Sequence, residues 1–335
     1  MADPYVVLVG KLGYPESERL GRLLRRLMDK EEAEIAASLP CAVAELAQKL
    51  GKQEDQVNEA LKGLFEKGVI FMTSKGYQFA RDIFQLHDAT ACDVRLDKVW
   101  GRDFLDLWED FFQAEWYADW ARIVQTWKMP LWRAIPARKA ISEGTKLLPS
   151  EDVEAILDKA SKLALAHCSC RRIAQRCDLP VEVCLQVNRA AEYAIARGTG
   201  KELTKDDALK ILDVAEEAGL IHSVYTTSGV PNVICNCCTD CCVFYYPLIK
   251  FGVLEKGVAK SRFQAEVDKA ACDGCQTCVE RCPFEAVDMV KIPGEKKLKA
   301  QINSQKCFGC GVCVVGCESE AIRLVEIRPP EHIAV

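Results

Sequence analysis

The sequence of 335 residues predicts an α+β fold with helices and a hairpin at the amino terminus, a mostly helical middle and a duplicated βαβ unit at the carboxy terminus. Three observations support this prediction. Apolar residues recur at helical spacing before residue 70, aromatic residues recur at every fourth position after residue 99, and one cysteine motif occurs twice after residue 270. The corresponding segments are residues 1–92, 93–148, 149–261 and 262–335.

The composition is typical of a globular protein, with 49% hydrophobic and 28% charged residues. The net charge of −5 argues against nucleic acid as the main partner. The apolar run from Tyr5 to Val9 is too short for a signal peptide or a membrane span, which predicts a cytoplasmic protein. In that reducing compartment, nineteen cysteines indicate metal or cluster ligation rather than disulfides.

The segment 1–92 is predicted to contain several short helices followed by a hairpin. Three apolar stripes predict the helices, namely Leu20, Leu23, Leu24 and Leu27, then Val43, Leu46, Ala47 and Leu50, and then Val57, Leu61, Leu64 and Phe65. Gly51 and Gly68 follow the second and third stripes as stop signals. Residues 69–73 and 77–79 predict two strands joined by a turn at 74–76. This order resembles a winged helix-turn-helix.

That resemblance raises the possibility of DNA binding, which the charge of the third helix opposes. The helix carries four acidic residues and one lysine, namely Glu54, Asp55, Glu59, Glu66 and Lys62. A helix that enters the major groove needs basic or amide side chains, and phosphate would repel this one. The domain is therefore predicted to contact protein, and DNA binding is the alternative.

The segment 93–148 contains all six tryptophans and predicts one aromatic helix. The aromatic residues that recur at every fourth position are Trp100, Phe104, Trp108, Phe112, Trp116 and Trp120. This spacing places them on one slowly rotating helix face, with acidic residues on the other side. We interpret the face as packed against the protein, with a docking surface as the alternative, and the acidic side argues against a membrane-surface helix.

The carboxy-terminal segment contains the motif C-x2-C-x2-C-x3-C twice, at an offset of 35 residues. The cysteines are Cys272, Cys275, Cys278 and Cys282, and then Cys307, Cys310, Cys313 and Cys317. Three thiolates at this spacing can surround one face of an iron–sulfur cube, and Gly274, Gly309 and Gly311 would let the backbone approach closely. Zinc, the alternative, is usually bound by pairs of ligands with a longer spacer.

Residues 262–328 resemble the bacterial two-cluster ferredoxins. The resemblance implies that the fourth cysteine of each motif begins a helix and binds the other cluster. One [4Fe-4S] cluster would then be held by Cys272, Cys275, Cys278 and Cys317, and the second by Cys307, Cys310, Cys313 and Cys282. Glu318 stands where the family has proline, so the helix expected after Cys317 is in doubt.

The segment 149–261 contains nine further cysteines, which are Cys168, Cys170, Cys177, Cys184, Cys235, Cys237, Cys238, Cys241 and Cys242. Its Cys-x-Cys-Arg and Cys-Asn-Cys-Cys elements resemble those that precede the ferredoxin module in large 4Fe-4S binding proteins of anaerobic bacteria and archaea. At least one further [4Fe-4S] cluster is the leading interpretation, and zinc or a redox-active thiol site are the alternatives. Arg171 and Arg172 would either donate to cluster sulfurs or face solvent.

These features predict an iron–sulfur electron-transfer protein that passes single electrons between a low-potential donor and a partner redox enzyme in an anaerobic metabolism. No Gly-x-Gly-x-x-Gly follows a strand, so the sequence offers no nicotinamide or flavin site. A redox-sensing transcription regulator and an oxidoreductase subunit with a catalytic central cluster are the alternatives. The expected partner is a redox protein or an oxidoreductase complex.

Overall fold

The computed structural model describes residues 3–74, 76–226 and 229–333. The chain forms two compact units. The first consists of Met1–Trp116, His167–Ala174 and Ala194–Thr199, and the second of Tyr117–Ala166, Gln175–Tyr193 and Gly200–Val335. Helices and strands occur together, as predicted for an α+β protein. The four-segment division stays a prediction.

The amino-terminal part of the first unit consists of helices and one hairpin. The elements are α1 (Pro4–Lys11), α2 (Glu18–Leu27), α3 (Lys30–Ser38), α4 (Val43–Leu50), α5 (Glu54–Glu66), β1 (Ile70–Thr73), β2 (Gly76–Phe79), α6 (Ile83–Ala91) and α7 (Asp97–Phe111).

The three apolar stripes lie on α2, α4 and α5, which confirms the predicted helices. The Oγ of Ser17 accepts a hydrogen bond from the backbone N–H of Leu20 and caps α2. Gly51 ends α4 in the left-handed conformation, with φ of 66°. Strands β1 and β2 pair antiparallel from Ile70 opposite Phe79 to Thr73 opposite Gly76. Lys75, in the predicted turn, lies outside the described residues.

The aromatic segment is interrupted twice, whereas the sequence predicted one helix. Gly101 has φ of 63° and ψ of −164°, which kinks α7. A π-helical turn then spans Phe112–Trp116. In an α-helix of 3.6 residues per turn, side chains at every fourth position rotate slowly around the helix axis. The π-helical turn contains more residues than an α-helical turn and so compensates for part of this rotation. Trp108 and Phe112 are 0% and 1% exposed, so the packed interpretation of the aromatic face is correct.

The middle of the chain alternates between helices and strands. The elements are α8 (Tyr117–Val124), β3 (Trp132–Ala134), α9 (Val153–Lys159), β4 (Leu163–Ala166), α10 (Ser169–Ala174), β5 (Cys184–Val187), α11 (Arg189–Arg197), β6 (Lys201–Glu202), α12 (Lys205–Glu217), β7 (Ile221–Tyr225), β8 (Val233–Cys237), α13 (Tyr245–Lys250), α14 (Leu254–Gly257) and β9 (Val258–Ala259). Helix α10 belongs to the first unit, to which the end of α11 also belongs.

A seven-stranded sheet organises the second unit, and the prediction of a mostly helical middle missed it. The strand order is β6-β4-β5-β8-β7-β3-β9, and every pair is antiparallel except β3 with β9. Each strand has two to five residues and two contain cysteines, so the apolar alternation that predicts strands is too short to recognise. Strands β7 and β8 pair with Ser223 opposite Cys235 and Ile221 opposite Cys237.

The carboxy-terminal part has the order strand, helix, strand twice. Its elements are β10 (Phe263–Val267), α15 (Thr277–Glu280), β11 (Val287–Val290), β12 (Lys299–Ile302), α16 (Val312–Val315) and β13 (Ile322–Glu326). β10 pairs antiparallel with β13, and β11 pairs antiparallel with β12. Each half therefore contributes one strand to each two-stranded sheet. Within the described part of the chain, no helix is both long and apolar enough to cross a bilayer.

Candidate metal centres

The carboxy-terminal part encloses two small cavities, and four cysteines line each. The first cavity is lined by Cys272, Cys275, Cys278 and Cys317. Burial raises the pKa of the Cys278 thiol to about 11, and negative charge on the other three sulfurs adds to the effect. Four sulfurs from both copies of the motif are thus brought around one cavity.

The second cavity is lined by Cys282, Cys307, Cys310 and Cys313. Burial raises the pKa of Cys310 to about 12, with further contributions from charge on Cys282 and Cys307. Cys282 therefore lies beside three cysteines of the other repeat.

The short helices α15 and α16 explain how each motif divides its cysteines. Cys278 and Cys313, the third cysteines, lie within these helices, and Cys282 and Cys317 follow their ends. The expectation that the fourth cysteine begins a helix is therefore wrong. A turn follows instead, in which Glu320 has φ of 50° and its N–H donates to the carbonyl of Cys317.

The same turn follows Cys282. Glu285 has φ of 49°, its N–H donates to the carbonyl of Cys282, and the N–H of Ala286 donates to the Cys282 sulfur at 3.2 Å. Glu318 in place of proline therefore leaves the local backbone unchanged.

The sulfur positions in both cavities fit a cube better than a single ion. A mononuclear site needs at least three ligand atoms that converge on one point. Among the described residues, no three of the eight cysteines in this part of the chain have sulfurs that all lie within 4.8 Å of one another. Four widely spaced thiols around an apolar cavity are the arrangement that a [4Fe-4S] cluster requires.

Gly309 lies between two of these cysteines and has φ of 67°. A Cβ atom there would lie 2.0 Å from the carbonyl oxygen of Phe263, so the backbone of strand β10 occupies the space that a side chain would need. The close approach that we predicted for this glycine is thus made to the protein backbone.

We expect Gly309→Ala to lower the free energy of unfolding by about 2–4 kcal/mol, since it combines a left-handed conformation with a backbone clash. The iron content should also fall, because Cys307 and Cys310 flank the displaced residue. The matched control is Gly294→Ala, which has φ of 87° and open space around the added Cβ. It should cost about 1 kcal/mol, and equal thermal stability of the two variants would show that the clash is relieved.

The central cysteines fall into three groups. Cys168 and Cys170 lie in the first unit. A hydrogen bond with the Cys170 thiol and burial raise the pKa of Cys168 well above its usual value. Arg172 is buried and donates to the Ala91 carbonyl and to Asp97, so its guanidinium does not face solvent.

The second group, which we term the open thiol set, consists of Cys184, Cys235, Cys237 and Cys242. Hydrogen bonds with Cys184 and Cys237, together with burial, raise the pKa of Cys235. The sulfurs of Cys237 and Cys242 are 3.7 Å apart. No three of the four sulfurs converge within 4.8 Å among the residues described, so the set is too extended for one tetrahedral ion.

The third group, which we term the compact set, consists of Cys177, Cys238, Cys241 and Asp240. The Cys177 sulfur lies 3.6 Å from that of Cys241 and 3.9 Å from that of Cys238. Burial and the charge of Cys238 raise the pKa of Cys177 to about 11. Burial also acts to raise the pKa of Asp240, but hydrogen bonds from the Cys238 and Cys177 thiols outweigh it and hold that pKa below its usual value.

Strand geometry explains why adjacent cysteines belong to different sets. Cys235 and Cys237 are two residues apart on β8, so their side chains share one face of the sheet. Cys238 follows the strand and joins the compact set with Cys241, whereas Cys242 returns to the open set. In each of the pairs Cys237-Cys238 and Cys241-Cys242, one cysteine belongs to the open set and the other to the compact set. These two pairs of adjacent cysteines were the sequence signal that could have indicated two sites.

Tyr245 lies between the open thiol set and the second cavity. Its ring is fully buried, and its hydroxyl is 2.9 Å from the Oγ of Ser223. Burial raises the pKa of Tyr245 well above its usual value, and charge on Cys237, Cys242 and Cys310 adds to it. Both groups of cysteines are therefore close enough to act on one side chain.

Two phenylalanines extend this contact to the second cavity. The Phe284 ring packs against Tyr245 at 5.9 Å between centroids and stacks on Phe308 at 4.3 Å. Phe284 and Phe308 both line the cavity. Sequence reasoning identified none of these three aromatic residues.

A buried polar network supports strand β8 from its other face. Asn236, between two cysteines of the open set, is 2.5 Å from the Nδ1 of His222, whose Nε2 lies 2.9 Å from Glu216. The backbone N–H groups of Arg138 and Lys139 donate to the same carboxylate. Burial acts to raise the pKa of Glu216, but these hydrogen bonds, led by that of His222, hold it below its usual value.

Residues 271–322 match the family described as a 4Fe-4S dicluster domain. This segment contains all eight cysteines that line the two cavities. The comparison with curated proteins gives no match. Together with the cysteine sets, the family match supports a 4Fe-4S protein whose general role is iron–sulfur electron transfer.

Proposed function

We propose that the protein is an electron relay with two [4Fe-4S] clusters in residues 262–335 and a third in the open thiol set. The two cavities, each lined by four cysteines within the matched segment, are the observation that carries the proposal. One cluster is held by Cys272, Cys275, Cys278 and Cys317, and the other by Cys282, Cys307, Cys310 and Cys313. Single electrons then pass between clusters without chemistry on a small substrate.

The third cluster follows from the chemistry and the position of the open thiol set. Four thiols that neighbour one another in a chain from Cys184 to Cys242 suit an iron–sulfur centre, and their spread does not fit a single ion. Tyr245, Phe284 and Phe308 form a packed aromatic connection from this set to the second cavity. Because electron tunnelling weakens steeply with distance, a densely packed route favours transfer between these two clusters.

The amino-terminal helices and hairpin support a role in binding a partner protein. Helices α4 and α5 followed by the β1–β2 hairpin have the order of a winged helix, and α5 exposes Glu54, Asp55 and Glu59. An acidic helix repels phosphate but can attract a basic protein surface. We therefore propose that this region contacts the redox partner, which supplies or accepts the electrons.

Iron analysis and electron paramagnetic resonance of the anaerobically purified full chain test the relay. We expect about twelve irons, about four for each of three clusters. After reduction, magnetic coupling should broaden the spectrum, because the third cluster lies near one of the other two. Cys184→Ser should retain about eight irons and lose the broadening that the third cluster causes. Cys41→Ser, which lies outside all cysteine sets, should change neither the iron content nor the broadening.

About eight irons in the unmodified protein would contradict the third cluster and leave the first two intact. About four irons would contradict the two-cluster assignment itself.

A further inference from the structure

The compact set differs from every other cysteine set in the described part of the chain. The ligand atoms of Cys177, Cys238, Cys241 and Asp240 all lie within 4.8 Å of one another. Among the described residues, no other group of three or more His, Cys, Asp or Glu side chains is this tightly gathered. These side chains therefore converge on one point.

The convergence of all four ligand atoms on one point matches one tetrahedral ion. A single short pair does not distinguish the two sets, since Cys237 and Cys242 of the open thiol set are 3.7 Å apart. Metal–sulfur bonds of about 2.3 Å at tetrahedral angles place two ligand sulfurs about 3.8 Å apart. In a [4Fe-4S] cluster each thiolate binds a different iron, so the four ligand sulfurs do not converge on one point. The observed distances of 3.6 Å and 3.9 Å agree with the single ion.

The fourth potential ligand atom in the compact set is a carboxylate oxygen of Asp240. Its Oδ1 is buried and has no hydrogen-bond partner among the described residues, although a buried carboxylate oxygen normally has one. Coordination to a cation at the centre of the set would satisfy this oxygen.

Arg176 forms hydrogen bonds with two residues of the compact set. Its backbone N–H donates to the Cys241 sulfur at 3.3 Å, and its guanidinium donates to the Asp240 carbonyl at 2.6 Å. The guanidinium also lies 4.0 Å from the centre of the Tyr246 ring. N–H groups directed at metal-bound sulfur are typical of the surroundings of closed metal sites.

We propose that the compact set binds one zinc ion, which is separate from the iron–sulfur clusters. Three thiolates and one carboxylate complete a tetrahedron, and a closed tetrahedral set with thiolate ligands is typical of structural zinc. The ion ties the loop at Cys177 to the turn from Cys238 to Cys241. Cys237 and Cys242 flank that turn, so the zinc site holds two cysteines of the open thiol set in place.

Zinc analysis and X-ray absorption at the zinc edge of the anaerobically purified full chain test this proposal. We expect about one zinc per chain with three sulfur neighbours at about 2.3 Å and one oxygen at about 2.0 Å. Cys238→Ser should lose the zinc and keep most of the iron. Cys237→Ser, its neighbour in sequence, should keep the zinc and lose about four irons.

Cys41→Ser serves as the control for loss of a thiol and should retain both metals. A protein without zinc would overturn the proposal, as would a Cys238→Ser variant that loses four irons and keeps zinc. Four sulfur neighbours would exclude Asp240 as a ligand. These measurements on the unmodified protein do not depend on the folding of any variant. About one zinc with about eight irons in the unmodified protein would contradict the third cluster and leave the zinc proposal intact.

Discussion

Replacing Cys282 by alanine should abolish the cluster bound by Cys307, Cys310 and Cys313 and preserve the cluster bound by its sequence neighbours. Cys282 lines the second cavity, because α15 ends before it and the chain then turns toward the other repeat. Anaerobic iron analysis should show a loss of about four irons per chain. This is among the largest effects that one substitution in the protein should have.

Double substitutions identify which cluster is lost. Cys282→Ala combined with Cys310→Ala should lose no more iron than either change alone, since both remove ligands from one cluster. Cys282→Ala combined with Cys275→Ala should lose about eight irons, since the two changes affect different clusters. If Cys282→Ala combined with Cys275→Ala lost only about four irons, and Cys282→Ala combined with Cys310→Ala lost about eight, each motif would bind its own cluster.

Replacing Glu216 by alanine should lower the free energy of unfolding by about 3–5 kcal/mol, because it leaves several buried donors without an acceptor. His222 and the N–H groups of Arg138 and Lys139 all lie within hydrogen-bond distance of this carboxylate. Anaerobic thermal unfolding measures the change. Glu217→Ala is the matched control, because that side chain is 69% exposed and should cost less than about 1 kcal/mol.

The stabilisation from Glu216 should depend on pH. Its pKa in the folded protein lies below the ordinary value of about 4.3, so the stabilisation is complete above that pH and is lost as the pH falls through the folded-state pKa. The unmodified protein should therefore lose stability more steeply than Glu216→Ala below about pH 4.3. Parallel curves for the two proteins would show that Glu216 is not ionised in the folded state.

The hydrogen-bond network of Glu216 also shows why the sheet was missed in the sequence. His222 and Asn236 face each other only because β7 pairs with β8, and they are fourteen residues apart in the chain. Neither strand has more than five residues. A strand of that length with cysteines in its pattern gives too weak a periodic signal to predict.

Features that depend on local spacing could be predicted from the order of the residues alone. The apolar stripes of α2, α4 and α5 recur with the period of one helix, and the two cysteine motifs recur at a fixed offset, so both can be recognised without knowing how the chain folds. The aromatic stripe from Trp100 to Trp120 was likewise predicted to pack against the protein. The kink at Gly101 was not predicted, because glycine can adopt both a helical conformation and one with positive φ.

Contacts between side chains that are distant in the chain could not be predicted in this way, because they depend on how the whole chain folds. The nine central cysteines could not be divided into separate sites from the sequence. All nine side chains have the same chemistry, so the sequence does not show which of them lie close together. Pairing of β8 with β7 sets the face on which Cys235 and Cys237 lie, and the following turn directs Cys238 and Asp240 toward Cys177. The convergence of ligand atoms that distinguishes a single-ion site from a cube arises from this folding of the chain and not from the spacing of its residues.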